Sequence, residues 1–186
     1  MGALAVVLGL VLLPAPASAA TTVSDPAGDG LGVGDIRALK VSQNADLEVV
    51  FQVRLNAPTH PARSTWIGED SVTTLRINID EDGDAGIESY VIVEADDGAP
   101  QVHVVNLFAT PEPRGECELV LDFPQQQRRI LRFRLSHPDC LGSPAPDAIR
   151  AFARFRFDQG GNGSIDSADR APNAGWTAPV PLAETN

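Results

Sequence analysis

The sequence predicts an all-β protein, an antiparallel β-sandwich of about eight or nine strands. Three observations lead there. Apolar and polar residues alternate over most of the chain after residue 30. Turn-forming residues interrupt that alternation at short intervals, and no segment sustains a helical period. Alternation with a period of two buries one face of a strand and leaves the other to solvent, which is the pattern of sheets packed face to face.

The clearest strands can be read directly. Val49, Phe51, Val53 and Leu55 alternate with Glu48, Gln52 and Arg54, and Leu75, Ile77 and Ile79 alternate with Arg76, Asn78 and Asp80. Leu131, Phe133 and Leu135 alternate with Arg132 and Arg134, and Ile149, Ala151, Ala153, Phe155 and Phe157 with Arg150, Arg154 and Arg156. Further strands are expected at 35–41, 88–94, 101–108 and 116–123. Asn44-Ala45-Asp46, Asp97-Gly98, Pro111 to Gly115, Pro124 and Pro144 to Asp147 supply the turns between them. A hairpin about residues 125–127 sets Glu118 and Asp122 near Arg132 and Arg134, and opposite charges across a strand pair support that register.

Length and composition bound the function. The chain has 186 residues, enough for one ordinary domain, and a normal balance of 43% hydrophobic and 21% charged residues. A net charge of −11 argues against a nucleic-acid partner, because phosphate binding needs concentrated positive charge. An apolar run from Leu4 to Leu13 precedes Pro14 and a small-residue tail in which Ala17 and Ala19 fit a signal-peptidase site. The expectation is a signal peptide over residues 1–19 and a secreted domain over 20–186. The run is too short to span a bilayer, and no membrane anchor is expected in the mature chain. Cys117 and Cys140 are the only cysteines. In an exported protein two cysteines pair, and this bond would clamp the open end of the predicted hairpin.

The strongest chemical signal is Asp80-Glu81-Asp82-Gly83-Asp84-Ala85-Gly86-Ile87-Glu88. Carboxylates at alternate positions with a later acid can surround one hard cation, and glycines let the backbone turn around it. Asp80, Asp82, Asp84 and Glu88 are therefore candidate calcium ligands. An acidic hairpin turn is the plainer alternative. The EF-hand form would put glycine where Ala85 stands and an acid where Val91 stands. A second loop, 158–169, offers Asp158, Asn162, Asp166 and Asp169 at similar positions, with Gly160 in place of a ligand. Its alternative is a glycine-rich hairpin connection. Asp25, Asp29 and Asp35 form a third acidic group, read as turn chemistry. The long connection 56–71 carries His60 and Trp66. It is a candidate binding loop, although a surface loop with Trp66 tucked beneath it is the plainer reading.

Asp25-Pro26-Ala27-Gly28-Asp29, then Asp35-Ile36, then Asp80-x-Asp82-x-Asp84 leading to Tyr90, then Cys140-Leu141-Gly142-x-Pro144, then Asp169-Arg170-Ala171-Pro172 resemble a group of secreted actinobacterial β-sandwich proteins. Their architecture is similar to carbohydrate-binding and DOMON-type sandwiches. The resemblance implies a binding or structural role. Catalytic patterns are sparse: there is no G-x-S-x-G elbow and no H-E-x-x-H helix, and His60, His103 and His137 are scattered. The only methionine is Met1, which leaves a haem-ligating role without its usual sulfur donor. The sequence therefore points to a secreted, calcium-stabilised, non-catalytic module that acts on an extracellular protein or carbohydrate. The rival is a secreted hydrolase with an acid pair among Asp80, Asp82, Asp84 and Glu88.

Overall fold

The computed structural model describes residues 19–26, 28, 35–56, 72–95, 101–106, 118–122, 129–136, 140–141, 146–158 and 167–183. Their strands are β1 (Ala20–Ser24), β2 (Ile36–Gln43), β3 (Val49–Leu55), β4 (Val72–Asp80), β5 (Ser89–Ala95), β6 (Gln101–Asn106), β7 (Leu119–Asp122), β8 (Ile130–Leu135), β9 (Ala148–Asp158), β10 (Ser167–Ala171) and β11 (Val180–Pro181). They form two antiparallel sheets. One runs β1-β2-β3-β8-β7; the other runs β10-β9-β4-β5-β6, with β11 also paired to β9. The all-β sandwich expected from the alternation is what the chain adopts. No helix among the described residues is long and apolar enough to cross a membrane.

The core is built from the alternating apolar sets. Phe51, Val53 and Leu55 of β3 with Leu131, Phe133 and Leu135 of β8 are fully buried, as are Leu75, Ile77 and Ile79 of β4 and Phe155 of β9. Burying each such side chain stabilises the fold by about 1.5–3 kcal/mol relative to leaving it in water. The register keeps these sets in step: Phe51 faces Phe133 across β3 and β8, and Ile77 faces Ala153 across β4 and β9. A one-residue slip would turn every one of them outward.

The expected charge pairing in the 118–135 hairpin is present at one of its two acids. Asp122 lies opposite Arg132 and accepts from Arg134 Nε at 3.2 Å. Arg134 finds its second partner just before β3, at Glu48 Oε1, 2.8 Å away. The backbone N–H of Glu118 instead donates to Ser136 Oγ at 3.2 Å, while Ser136 N–H donates back to the Glu118 carbonyl at 3.1 Å.

Three strands go beyond those read from the sequence. β1 and β10 are short and poor in large apolar residues, and β11 has 2 residues. They are held by pairing with longer neighbours rather than by a hydrophobic pattern of their own. At the β2–β3 turn, Asn44 Oδ1 accepts from the N–H groups of Asp46 and Glu48 at 3.0 and 2.9 Å, which lets Leu47 sit at φ 64°.

Candidate metal centre

β4 ends at Asp80 and β5 begins at Ser89, and the chain between them is the acidic segment singled out above. The pair Ile79–Ser89 and the hydrogen bond from Glu88 N–H to the Ile79 carbonyl at 3.1 Å close the base of the turn. Asp80, although the last residue of a strand, is 1% exposed. Its carboxylate organises the loop: Oδ1 accepts from Gly83 N–H at 2.6 Å and Oδ2 from Ala85 N–H at 3.1 Å. Two further acids do the same locally. Asp82 Oδ1 accepts from Asp84 N–H at 3.0 Å and Asp84 Oδ1 from Gly86 N–H at 2.6 Å. Glu88 Oε2 reaches back to Glu81 N–H at 2.8 Å.

These bonds draw carboxylates together. Oxygens of Asp80, Asp82 and Glu88 all lie within 4.8 Å of one another, running from buried through exposed to half-buried. A β-carbon added at Gly86 would fall 2.4 Å from Glu88 Oε1 and 2.7 Å from Asp84 Oδ1. A methyl there would displace the ends of those two side chains. Gly83 and Ala85 instead satisfy a left-handed backbone, with φ of 84° and 72°. Burial pushes the Glu88 carboxyl above the usual glutamate range. The hydrogen bond from Glu81 N–H opposes that shift, and the charges of Asp82, Asp80 and Asp84 add to it.

One partner of this cluster is not legible in the local motif. Arg150 of β9 stands opposite Asp80 in the register and its guanidinium pairs with Asp80 Oδ2. One of the clustered charges is therefore already balanced from within the protein. The donor set left for an ion is all oxygen, which fits a hard cation such as calcium rather than a soft metal. Asp82 and Glu88 each have an oxygen not committed to the bonds above, and Asp80 Oδ1 has a second lone pair.

The other predicted residues are distributed as follows. Asp158 ends β9; Asn162 and Asp166 lie outside the described residues. Asp169 is buried on β10, where Oδ2 accepts from Ile36 N–H of β2 at 2.5 Å and Oδ1 from Arg170 N–H at 2.7 Å. That bond ties the two sheets together. It also brings three of the short motifs to one corner, because Asp35 Oδ2 accepts from Gly28 N–H at 3.0 Å and Asp25 N–H donates to the Arg37 carbonyl at 3.0 Å. His60, Trp66 and Cys117 lie outside the described residues. Cys140 is buried, carries no free thiol, and has Ser136 Oγ 3.5 Å from its sulfur.

Among the described residues, two grooves open on the outer faces of the sheets. On the β1-β2-β3-β8-β7 sheet, a groove of about 470 Å³ is lined by residues that include Lys40, Glu48, Asp122, Arg132 and Arg134, whose acids and arginines pair with one another. On the other sheet, a groove of about 320 Å³ is lined by Thr74, Arg76, Asn78, Ile87, Ile92, Phe152, Arg154 and Arg156. Neither lining includes an acid of the 80–88 loop.

Comparison of the chain with protein-family models, with curated proteins and with solved structures finds no match.

Proposed function

We propose that this chain is an exported, non-catalytic β-sandwich module whose 80–88 loop binds calcium and so stabilises the fold. The observation that carries the reading is the convergence of Asp80, Asp82 and Glu88 oxygens within 4.8 Å. A cation site gathers several oxygens about one point, whereas a hydrolytic acid pair faces a substrate groove. The acids of this loop face one another and their own backbone N–H groups, and the groove that reaches the loop at Ile87 has none of them in its lining. Asp80, Asp82 and Glu88 would hold the ion, with Asp84 reaching it from beside Gly86.

Export rests on the leader-like segment, and β1 starts at Ala20, one residue past the expected cleavage position. The Cys117–Cys140 bond belongs to the same reading, supported by the absence of a free thiol at Cys140 and by the mutual hydrogen bonds of Glu118 and Ser136. The resemblance to secreted sandwiches, through motifs that meet at the Asp35–Asp169 corner, supports a binding role towards an extracellular protein or carbohydrate.

The test is thermal unfolding of the mature protein with calcium and with chelator. A ligand specific for the folded state at ten times its dissociation constant adds about 1.4 kcal/mol, so the melting temperature should rise with calcium, and Asp82→Asn should blunt the rise. Identical melting in calcium and chelator makes the loop an acidic turn only and removes the reading.

A further inference from the structure

On the outer face of the β10-β9-β4-β5-β6 sheet, Arg170 pairs with Arg154 across β10 and β9, and Arg154 pairs with Arg76 across β9 and β4. Adjacent strands lie about 4.8 Å apart, so like charges stand side by side in one row. Arg156 occupies the next outward position on β9, opposite Thr74. Like charges directly opposite across a strand pair are destabilising. The other sheet avoids this by alternating Glu48 and Asp122 with Arg134 and Arg132. Among the described residues no carboxylate is ion-paired with Arg76, Arg154, Arg156 or Arg170. In the backbone register Thr74 is paired with Glu94, and Ile92 with His103. In a chain of net charge −11, such a row stands out against its surroundings.

The arginines are also held in position. Arg76 lies over the Tyr90 ring at 3.8 Å and Arg170 over the Phe152 ring at 3.9 Å, while Phe152 meets Trp176 edge to face at 4.8 Å. The Nε atoms of Arg76 and Arg170 are buried without a hydrogen-bond partner. Stacking fixes the planar forks; Arg170 spends an Nη2 donor on the Gly175 carbonyl at 2.6 Å, and the outer edge of Arg76 is left for an oxyanion. Burial, and then the neighbouring Arg156, Arg170 and Arg76, lower the Arg154 pKa, in keeping with charges packed without a counter-ion.

We propose that this groove is a binding site for a compact organic anion, an oxyanion group such as sulfate or carboxylate carried on an apolar ring. Arg76, Arg154 and Arg156 take the oxyanion, and Ile87, Ile92 and Phe152 supply the apolar wall. Its size, about 320 Å³, suits a small molecule. At Ile87 the groove reaches the acidic loop, so a long polyanion would run into Asp84 and Glu88, whereas a compact anion ends before them. The inference stands apart from the calcium reading and survives its failure.

The probes are phenyl sulfate, inorganic sulfate and sodium chloride at matched ionic strength, titrated into the mature protein by calorimetry and by thermal melting. Phenyl sulfate should bind saturably and more tightly than sulfate. At ten times its dissociation constant it should raise the melting temperature by about 2–5 °C over chloride. Arg154→Gln, at an exposed position, should weaken phenyl sulfate by roughly tenfold or more, since it removes a charged hydrogen-bond donor. The same change should raise the melting temperature in chloride alone by removing repulsion; Arg156→Gln should weaken binding as well. A purely structural arginine would show the reverse, lower stability and unchanged binding. Equal melting shifts in chloride and phenyl sulfate, no preference for phenyl sulfate over sulfate, or full binding by both variants would each overturn the proposal.

Discussion

Arg150 on β9 and Asp80 on β4 face each other across the sheet and form an ion pair in which the carboxylate is fully buried and the guanidinium is 24% exposed. This is the counter-charge that lets Asp80 sit at the mouth of an acidic loop. It also sets how far the fold depends on an added cation. Arg150→Gln should destabilise the protein by about 2–4 kcal/mol in chelator, the lower part of the cost of breaking a buried pair because Arg150 is partly solvated. In saturating calcium the loss should shrink, since the ion takes over the neutralisation of Asp80. Urea unfolding in both conditions measures this, and an equal loss in both would separate Asp80 from the cation.

Asp169 tests the second loop. Its Oδ2 holds the buried N–H of Ile36, so Asp169→Ala should leave that donor unpaired at a cost of about 1–3 kcal/mol. The same loss is expected in calcium and in chelator, because the side chain serves as a bridge between sheets. A loss seen only in calcium would return Asp169 to the ligands of the 158–169 loop.

The disulfide reading predicts that exported protein contains no reactive thiol before reduction. The loop between Cys117 and Cys140 holds about two dozen residues, for which chain-entropy models give roughly 3 kcal/mol. Reduction, or Cys140→Ser, should lower stability by about that amount; one free thiol per cysteine in the native secreted protein would overturn the pairing.

The sequence carried the sandwich and the acidic turn because both are local. Alternation in Val49 to Leu55 or Ile149 to Phe157 states which face is buried, and the Asp80–Glu88 spacing states that oxygens converge. What it concealed depends on pairing between distant strands. Arg150 is 70 residues from Asp80 and becomes its counter-ion only once β9 lies beside β4. The row Arg170–Arg154–Arg76 is likewise invisible until β10, β9 and β4 are in register, although the alternation marks Arg76 and Arg154 as outward residues. β10 escaped notice because Ser167-Ala168-Asp169-Arg170-Ala171 has no large apolar residue, and its place is set by hydrogen bonds to β9 and by Asp169.

Two neighbouring positions in the acidic loop should respond in opposite ways. Ala85 sits at φ 72°, where an L side chain crowds the backbone. Ala85→Gly should raise stability by about 0.5–1 kcal/mol: the strain it relieves, about 1–2 kcal/mol, exceeds the extra freedom glycine gives the unfolded chain, about 0.4–1 kcal/mol. The gain should be the same in calcium and in chelator, because only backbone strain is involved. Gly86 is constrained by space instead. A methyl there would meet Glu88 Oε1 at 2.4 Å and Asp84 Oδ1 at 2.7 Å, both at the ends of side chains that can swing away. Gly86→Ala should therefore change stability in chelator by only about 0.5 kcal/mol, as at an ordinary surface site, while it drives those oxygens apart and weakens calcium. Melting curves of both variants across a calcium titration separate the two effects. If Gly86→Ala keeps the full calcium response, Glu88 Oε1 and Asp84 Oδ1 are not ligands, and the ion, if bound, is held by Asp80 and Asp82 with backbone oxygens.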